Sequence, residues 1–227
     1  MEKIFCILWG TEQGRPLTGA AEKLADAGAT NIRINVRDEA VAAGSGLVQS
    51  RGEPLPDAAL QFWVPSSNAI FRKPFDAIIN QYCDHFHSWL VAESQIIANE
   101  KQPPAVGQRT DGFAQLAFLT LPPDSDWKTW RKLWRDGHTR VAIDTQSNFE
   151  YLQNLVVEPL TDGAPPYVAI VEECFPIEAL TDPLVFFDAV GDQEKFDRNL
   201  AAMMESCARF IAPGSIDVFP TSQYVFA

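Results

Sequence analysis

Three histidines are all that this 227-residue chain offers for imidazole chemistry, and one of them stands apart. If residues 126–143 form a helix at ~100° per residue, then Trp127, Trp130, Trp134, His138 and Val141 share one face. An imidazole set into an aromatic wall can take or give a proton near neutral pH, which is general acid or base chemistry on an apolar substrate. It can equally be a core histidine held by one hydrogen bond. His85 and His87, two apart on a predicted helix, point roughly 200° from each other, so they take boundary positions and do not share a metal. The sequence has no nucleophile elbow, phosphate-cradling loop or dinucleotide fingerprint, and the Gly44–Gly46 triplet is too short to read. Cys6, Cys83, Cys174 and Cys207 form no CxxC pair, so no metal site or dithiol is encoded locally and four free thiols are expected.

These side chains need a scaffold, and the composition allows one. With 46% hydrophobic and 21% charged residues the chain can bury a real core. Its formal charge of −12 argues against nucleic acid as a partner, because phosphate binding rests on Lys and Arg. Lys128, Arg131, Lys132 and Arg135 form a basic stripe on the predicted helix, with Arg140 beyond it, and read as a solvated face balancing nearby acids. The apolar run Ile4–Trp9 is too short to span a bilayer and leads into Thr11–Arg15 rather than a small-residue cleavage site, so a buried strand in a cytoplasmic protein is expected, with no membrane partner.

The order of elements appears twice. Residues 75–94 and 196–215 share a Phe-Asp opening and an apolar stripe, which points to a duplicated unit. Unit one (1–98) reads strand, helix from about Leu17, strand at 31–37, strand at 59–65, helix, strand. The second helix is expected to carry Phe75, Ile78, Ile79, Tyr82, Phe86, Trp89 and Leu90 along one face, with a closing strand near 91–97. A linker rich in proline, glycine and charge follows (99–112), and unit two (113–227) repeats the order. In the strand at 31–37, Ile32, Ile34 and Val36 alternate with Asn31, Arg33, Asn35 and Arg37, so the polar face must be wet or paired with acid. Residues 37–59 show no period and read as a surface loop, and the aromatics of 179–192 are expected to cover one end of the molecule. The fold class expected is α+β: two βαββαβ units whose antiparallel sheets face each other as an intramolecular, pseudo-dimeric barrel with helices outside.

Trp134-x-x-x-His138 on the helix, followed by a strand with Tyr151, Gln153, Asn154 and Val156, resembles the EthD family of dimeric α/β-barrel, ferredoxin-like proteins. The match covers the second unit. The first unit has Leu17, Ala20, Ala21 and Leu24 on its first helix and nothing corresponding to Trp134 or His138. The resemblance implies one site per chain, in a cofactor-free enzyme of dehydratase, cyclase, decarboxylase or monooxygenase type acting on a small apolar or aromatic molecule, and leaves a homodimer open. A non-catalytic ligand-binding or accessory protein is the alternative. In the enzyme reading His138 is the acid or base, Trp130 and Trp134 form an apolar wall, and Tyr151 and Asn154 are hydrogen-bond partners. Three apart on a regular strand, Tyr151 and Asn154 point to opposite faces, which favours Tyr151.

Overall fold

The computed structural model describes residues 1–12, 17–52 and 54–226, so part of the Thr11–Arg15 segment lies outside the described residues. The first half runs β1 (Glu2–Trp9), α1 (Thr18–Asp26), β2 (Thr30–Val36), β3 (Ala58–Val64), α2 (Ala69–Ile79) and β4 (His85–Ile97). The second runs β5 (Phe113–Thr120), α3 (Trp127–Lys132), a π-helical turn (Leu133–His138), α4 (Thr139–Thr145), β6 (Glu150–Pro159), β7 (Tyr167–Phe175), α5 (Pro183–Phe186), α6 (Gln193–Cys207) and β8 (Ile216–Val225). All eight strands pair antiparallel and close into one barrel in the order β1-β3-β2-β8-β5-β7-β6-β4. Each half supplies four adjacent strands, and the seams are β2 with β8 and β4 with β6.

Strand alternation explains why β1 and β5 are apolar throughout. Ile4, Cys6 and Leu8 pack outward beneath α1 and α2, while Phe5 and Ile7 point into the barrel with Trp89, Phe118 and Phe219. Phe5 meets Phe118, on a strand that is not its neighbour, edge to face at 5.9 Å between ring centres. The second half has its own helix-covered layer, with Ala117, Leu119, Val171 and Val218 under Trp130, Trp134 and Met203. Asn68, Asp126 and Asp192 cap α2, α3 and α6 by accepting main-chain N–H bonds.

The polar face of β2 is paired with acid. Arg33 donates to Glu150 at 2.9 Å and Glu172 at 3.2 Å across the barrel, and Asn35, fully buried, donates to Glu172 at 2.7 Å. Lys3 completes this interior network with bonds to Glu93 at 2.5 Å, Gln61 at 2.6 Å and Asn154 at 2.9 Å.

Several expectations are corrected. Helix α2 ends at Ile79, and His85, Phe86, His87, Trp89 and Leu90 lie on β4. No glycine or proline marks that end, and pairing of His85–Val91 with Lys3–Trp9 overrides the helical spacing. His85 and His87 therefore share a strand face, with ring centres 6.2 Å apart and Trp9 stacked on His85 at 4.7 Å. No group of three metal-ligating side chains exists among the described residues. The stretch at 37–59 is not a plain loop: Glu39–Leu47 forms 3-10 turns, and Gln49 pairs with Val218 through two main-chain bonds of 2.9 and 2.8 Å. Within 99–112, Arg109 bridges to Tyr224 and bonds Ser222 at 2.8 Å, which ties this segment to β8. No helix among the described residues is long and apolar enough to cross a membrane.

Candidate functional site

Between the second half's sheet and its helices lies a cavity of about 1020 Å³. Its floor is the outward face of β5 to β8: Gln115, Ala117 and Leu119, Tyr151, Val171 and Glu173, and Ile216 and Val218. Trp134 and His138 on the π-helical turn, Met203 and Cys207 on α6, and Phe210 form the wall. Leu180, Phe186 and Phe187 close one side, and Ala43, Gly46, Leu47 and Gln49 from the first half complete the roof. The roof is seated closely: a methyl group at Gly44 would stand 2.5 Å from a Leu180 side-chain carbon and 3.0 Å from Pro220.

The helix carrying His138 is interrupted where it meets the cavity. The N–H of Thr139 bonds to the carbonyl of Trp134, five residues back, and such π turns recur at functional sites because they redirect side chains. His138 is half-buried; its Nδ1 lies 3.0 Å from Ser206 Oγ and its ring centre 4.8 Å from that of Phe210. Nε2 has no protein partner among the described residues. Burial pushes the imidazole down to about 4, so at neutral pH it is uncharged and offers a hydrogen bond rather than a positive charge.

The polar part of the floor is a row across three strands. Tyr151 on β6 is register partner of Glu173 on β7, which is register partner of Gln115 on β5. The next row, Val171, Ala117 and Val218, is apolar. Tyr151 accepts from Gln153 Nε2 at 2.8 Å, and burial, followed by the nearby Glu173 carboxyl, pushes its phenol up. Glu173 is 8% exposed and, among the described residues, accepts one hydrogen bond from a side chain, Asn148 Nδ2 at 2.8 Å. Burial raises its carboxyl to about 7, against a partial lowering by Asn148. Gln146 also lines the cavity, and its Oε1 is buried without a hydrogen-bond partner among the described residues. Cys207 is pushed up to about 11 by burial, so it is a thiol and not a nucleophile.

The structure brings Trp134, His138 and Tyr151 together and leaves two expected residues elsewhere. Trp130 does not line the cavity; it is 1% exposed, stacked on Trp127 and tilted 32° against Trp134, with its indole N–H on the Phe210 carbonyl at 2.9 Å. Asn154 points into the barrel, bonded to Lys3, because it stands three residues from Tyr151 on one strand. Sequence reasoning missed Glu173, Gln115 and Gln146. One signal was available for Glu173: two consecutive glutamates in an apolar strand must point to opposite faces, and one of those faces is roofed by helices.

No protein-family model and no curated protein matches the chain. Among solved structures, an anthrone oxidase-like protein superposes with a TM-score of 0.50 at 8% identity, covering 100% of this chain and 92% of that one. A candidate monooxygenase from Lactobacillus acidophilus gives 0.48 at 10% identity, over 100% and 97% of the two chains. Another from Fusobacterium nucleatum gives 0.47 at 8%, over 100% and 92%. What the likeness to the first of these establishes is the fold, a closed α/β barrel of the dimeric α/β-barrel type.

Proposed function

We propose that the chain is an EthD-like enzyme, built as two ferredoxin-like units (1–98 and 113–227) joined by the segment 99–112. It acts without a cofactor on a small, largely apolar or aromatic molecule held in the cavity. The observation that carries this reading is the cavity itself: about 1020 Å³ lined chiefly by apolar and aromatic side chains, with a few polar groups converging in it. Trp134 supplies a flat apolar wall, His138 Nε2 a hydrogen bond to a ligand oxygen, and the Tyr151 row the polar end. The four cysteines are free, which suits a reducing, cytoplasmic setting.

A non-catalytic binding protein is the second reading, favoured by the hold of Ser206 on His138, which a purely structural histidine would also show. The test is titration with aromatic ketones and phenols, following quenching of Trp134 in the wild type and in W134F, together with turnover of any ligand found in wild type and His138→Gln. Quenching that depends on Trp134, with turnover lost in the His138 variant, supports the enzyme. Binding with turnover unchanged in that variant leaves His138 without its role, and absence of binding removes the ligand site.

A further inference from the structure

Glu172 and Glu173 are chain neighbours with opposite environments. Glu172 faces the barrel, where Arg33, Asn35, Gln61 and Gln223 all donate to its carboxylate. Glu173 faces the cavity, with Asn148 as its one side-chain donor among the described residues. Among the described residues, no lysine or arginine lines that cavity; its ionisable groups are His138 from the π turn, Tyr151 from β6, Cys207 from α6 and Glu173 itself. The roof segments 39–49 and 177–187 contribute no charge to it. A buried carboxyl without a counter-cation is costly, and this one lines a largely apolar, ligand-sized cavity rather than a packed core.

We infer that Glu173 is the general base of the site, removing a proton from a ligand that lies over the Tyr151–Glu173–Gln115 row. The inference rests on the ligand-cavity reading above and deepens it. In the step, a C–H or O–H bond of the ligand breaks, its electron pair stays on the ligand as an enolate or phenolate, and the proton moves to the Glu173 carboxylate. No oxidant or reductant is consumed. Tyr151 and Gln115, flanking the carboxyl on adjacent strands, are placed to hydrogen-bond the oxygen on which the charge settles. Because burial raises Glu173 to about 7, the group is half ionised at neutral pH and its basicity suits proton abstraction there. His138, neutral and pushed down to about 4, is the weaker base and serves as a hydrogen-bonding partner.

The test uses 5-nitrobenzisoxazole, a flat aromatic whose ring opens when a base removes its one acidic C–H proton: the C–H electrons form the nitrile, the N–O bond breaks with its electrons going to oxygen, and a single coloured cyanonitrophenolate results. Wild-type protein should open it with a rate that rises with pH to a plateau, with a midpoint near 7. Glu173→Gln, close in shape and uncharged, should lower the rate at least about 100-fold while leaving probe binding, read by Trp134 quenching, intact. Independently, a carbon-13 titration of labelled glutamate carboxyls, with Glu173 assigned by its loss in the variant, should place it near 7. Asn148→Ala should move that midpoint upward, since Asn148 favours the ionised form. Probe bound without turnover, a rate unchanged in Glu173→Gln, or a Glu173 midpoint in the ordinary carboxylate range would each overturn the assignment. Failure of the probe to bind at all would remove the ligand cavity itself, and with it this role.

Discussion

Arg33 and Glu150, 117 positions apart, meet inside the barrel with Nη2 and Oε1 2.9 Å apart, and this pair joins the first half's β2 to the second half's β6. Glu172, beside them, is pulled below the usual carboxylate range: burial opposes its ionisation, and Arg33 with the amides of Gln223, Asn35 and Gln61 outweighs it.

Removing Arg33 leaves two buried carboxylates without their cation. Arg33→Ala should destabilise the chain by about 3–5 kcal/mol in urea unfolding. A double replacement of Arg33 and Glu150 by Met should cost clearly less than Arg33→Ala alone, because no uncompensated partner remains at that pair. Equal losses in the two variants would place the cost at Glu172, which loses Arg33 in both, rather than at the Arg33–Glu150 pair.

Two groups in the cavity tilt the pH dependence of stability in opposite senses. For Glu173 the folded value, about 7, lies above its ordinary 4.5, so the folded state holds the extra proton between those limits and stability falls as pH rises through them. For His138 the folded value, about 4, lies below the ordinary 6.5, so stability falls as pH drops through that window. Each slope amounts to about 3 kcal/mol or less, and in the wild type they largely offset between pH 4.5 and 6.5. Denaturation across that range should therefore show Glu173→Gln gaining stability with rising pH and His138→Gln gaining it with falling pH. Parallel profiles for the two variants would contradict both shifts.

Glu172 adds a separate acid limb. Its folded value is lowered, so its contribution is present above the ordinary carboxylate range and is lost as pH falls through the folded value. Glu172→Gln should blunt that acid limb of the unfolding curve, and an unchanged limb would place the acid sensitivity elsewhere.

Gly44 gives a test of the roof. Gly44→Val must displace Leu180 and crowd Pro220, and overpacking of this kind costs about 1–3 kcal/mol. It should also alter ligand affinity in the cavity, measured by the same quenching titration, although residue 44 is 94 positions from His138. Loss of stability with unaltered affinity would show that the roof is structural alone.

All four thiols should react with a disulfide reagent in denaturant without reductant. The four cysteines are free in the structure, and a count of two or fewer would contradict that.

The parts legible from sequence are those with a period. β1 and β5 are apolar on both faces because one face lies under helices and the other in the barrel, and β2 showed its two sides by strict alternation. The same period-two rule separated Tyr151 from Asn154 correctly. The end of α2 was not legible, because Phe86, Trp89 and Leu90 keep helical spacing with Phe75 by accident while strand pairing decides their state. The 3-10 turns at Glu39–Leu47 have no apolar period, and their place follows from contacts with Leu180 and Val218, far along the chain. Glu173 became visible as a site residue when the cavity showed which of two adjacent glutamates lacks a cation.

The roof of the cavity belongs by sequence to one half and by position to the other. The segment Glu39–Leu47, with Gln49 bonded to Val218, closes the chamber holding His138 and Glu173. The first half thus supplies part of the lining of a cavity whose ionisable side chains, among the described residues, all come from the second half. Under the proposed function, substitutions in residues 39–49 should change ligand preference as well as stability. A barrel assembled from two copies of the second half would lack this roof, so the difference between the halves is what completes the lining of the cavity.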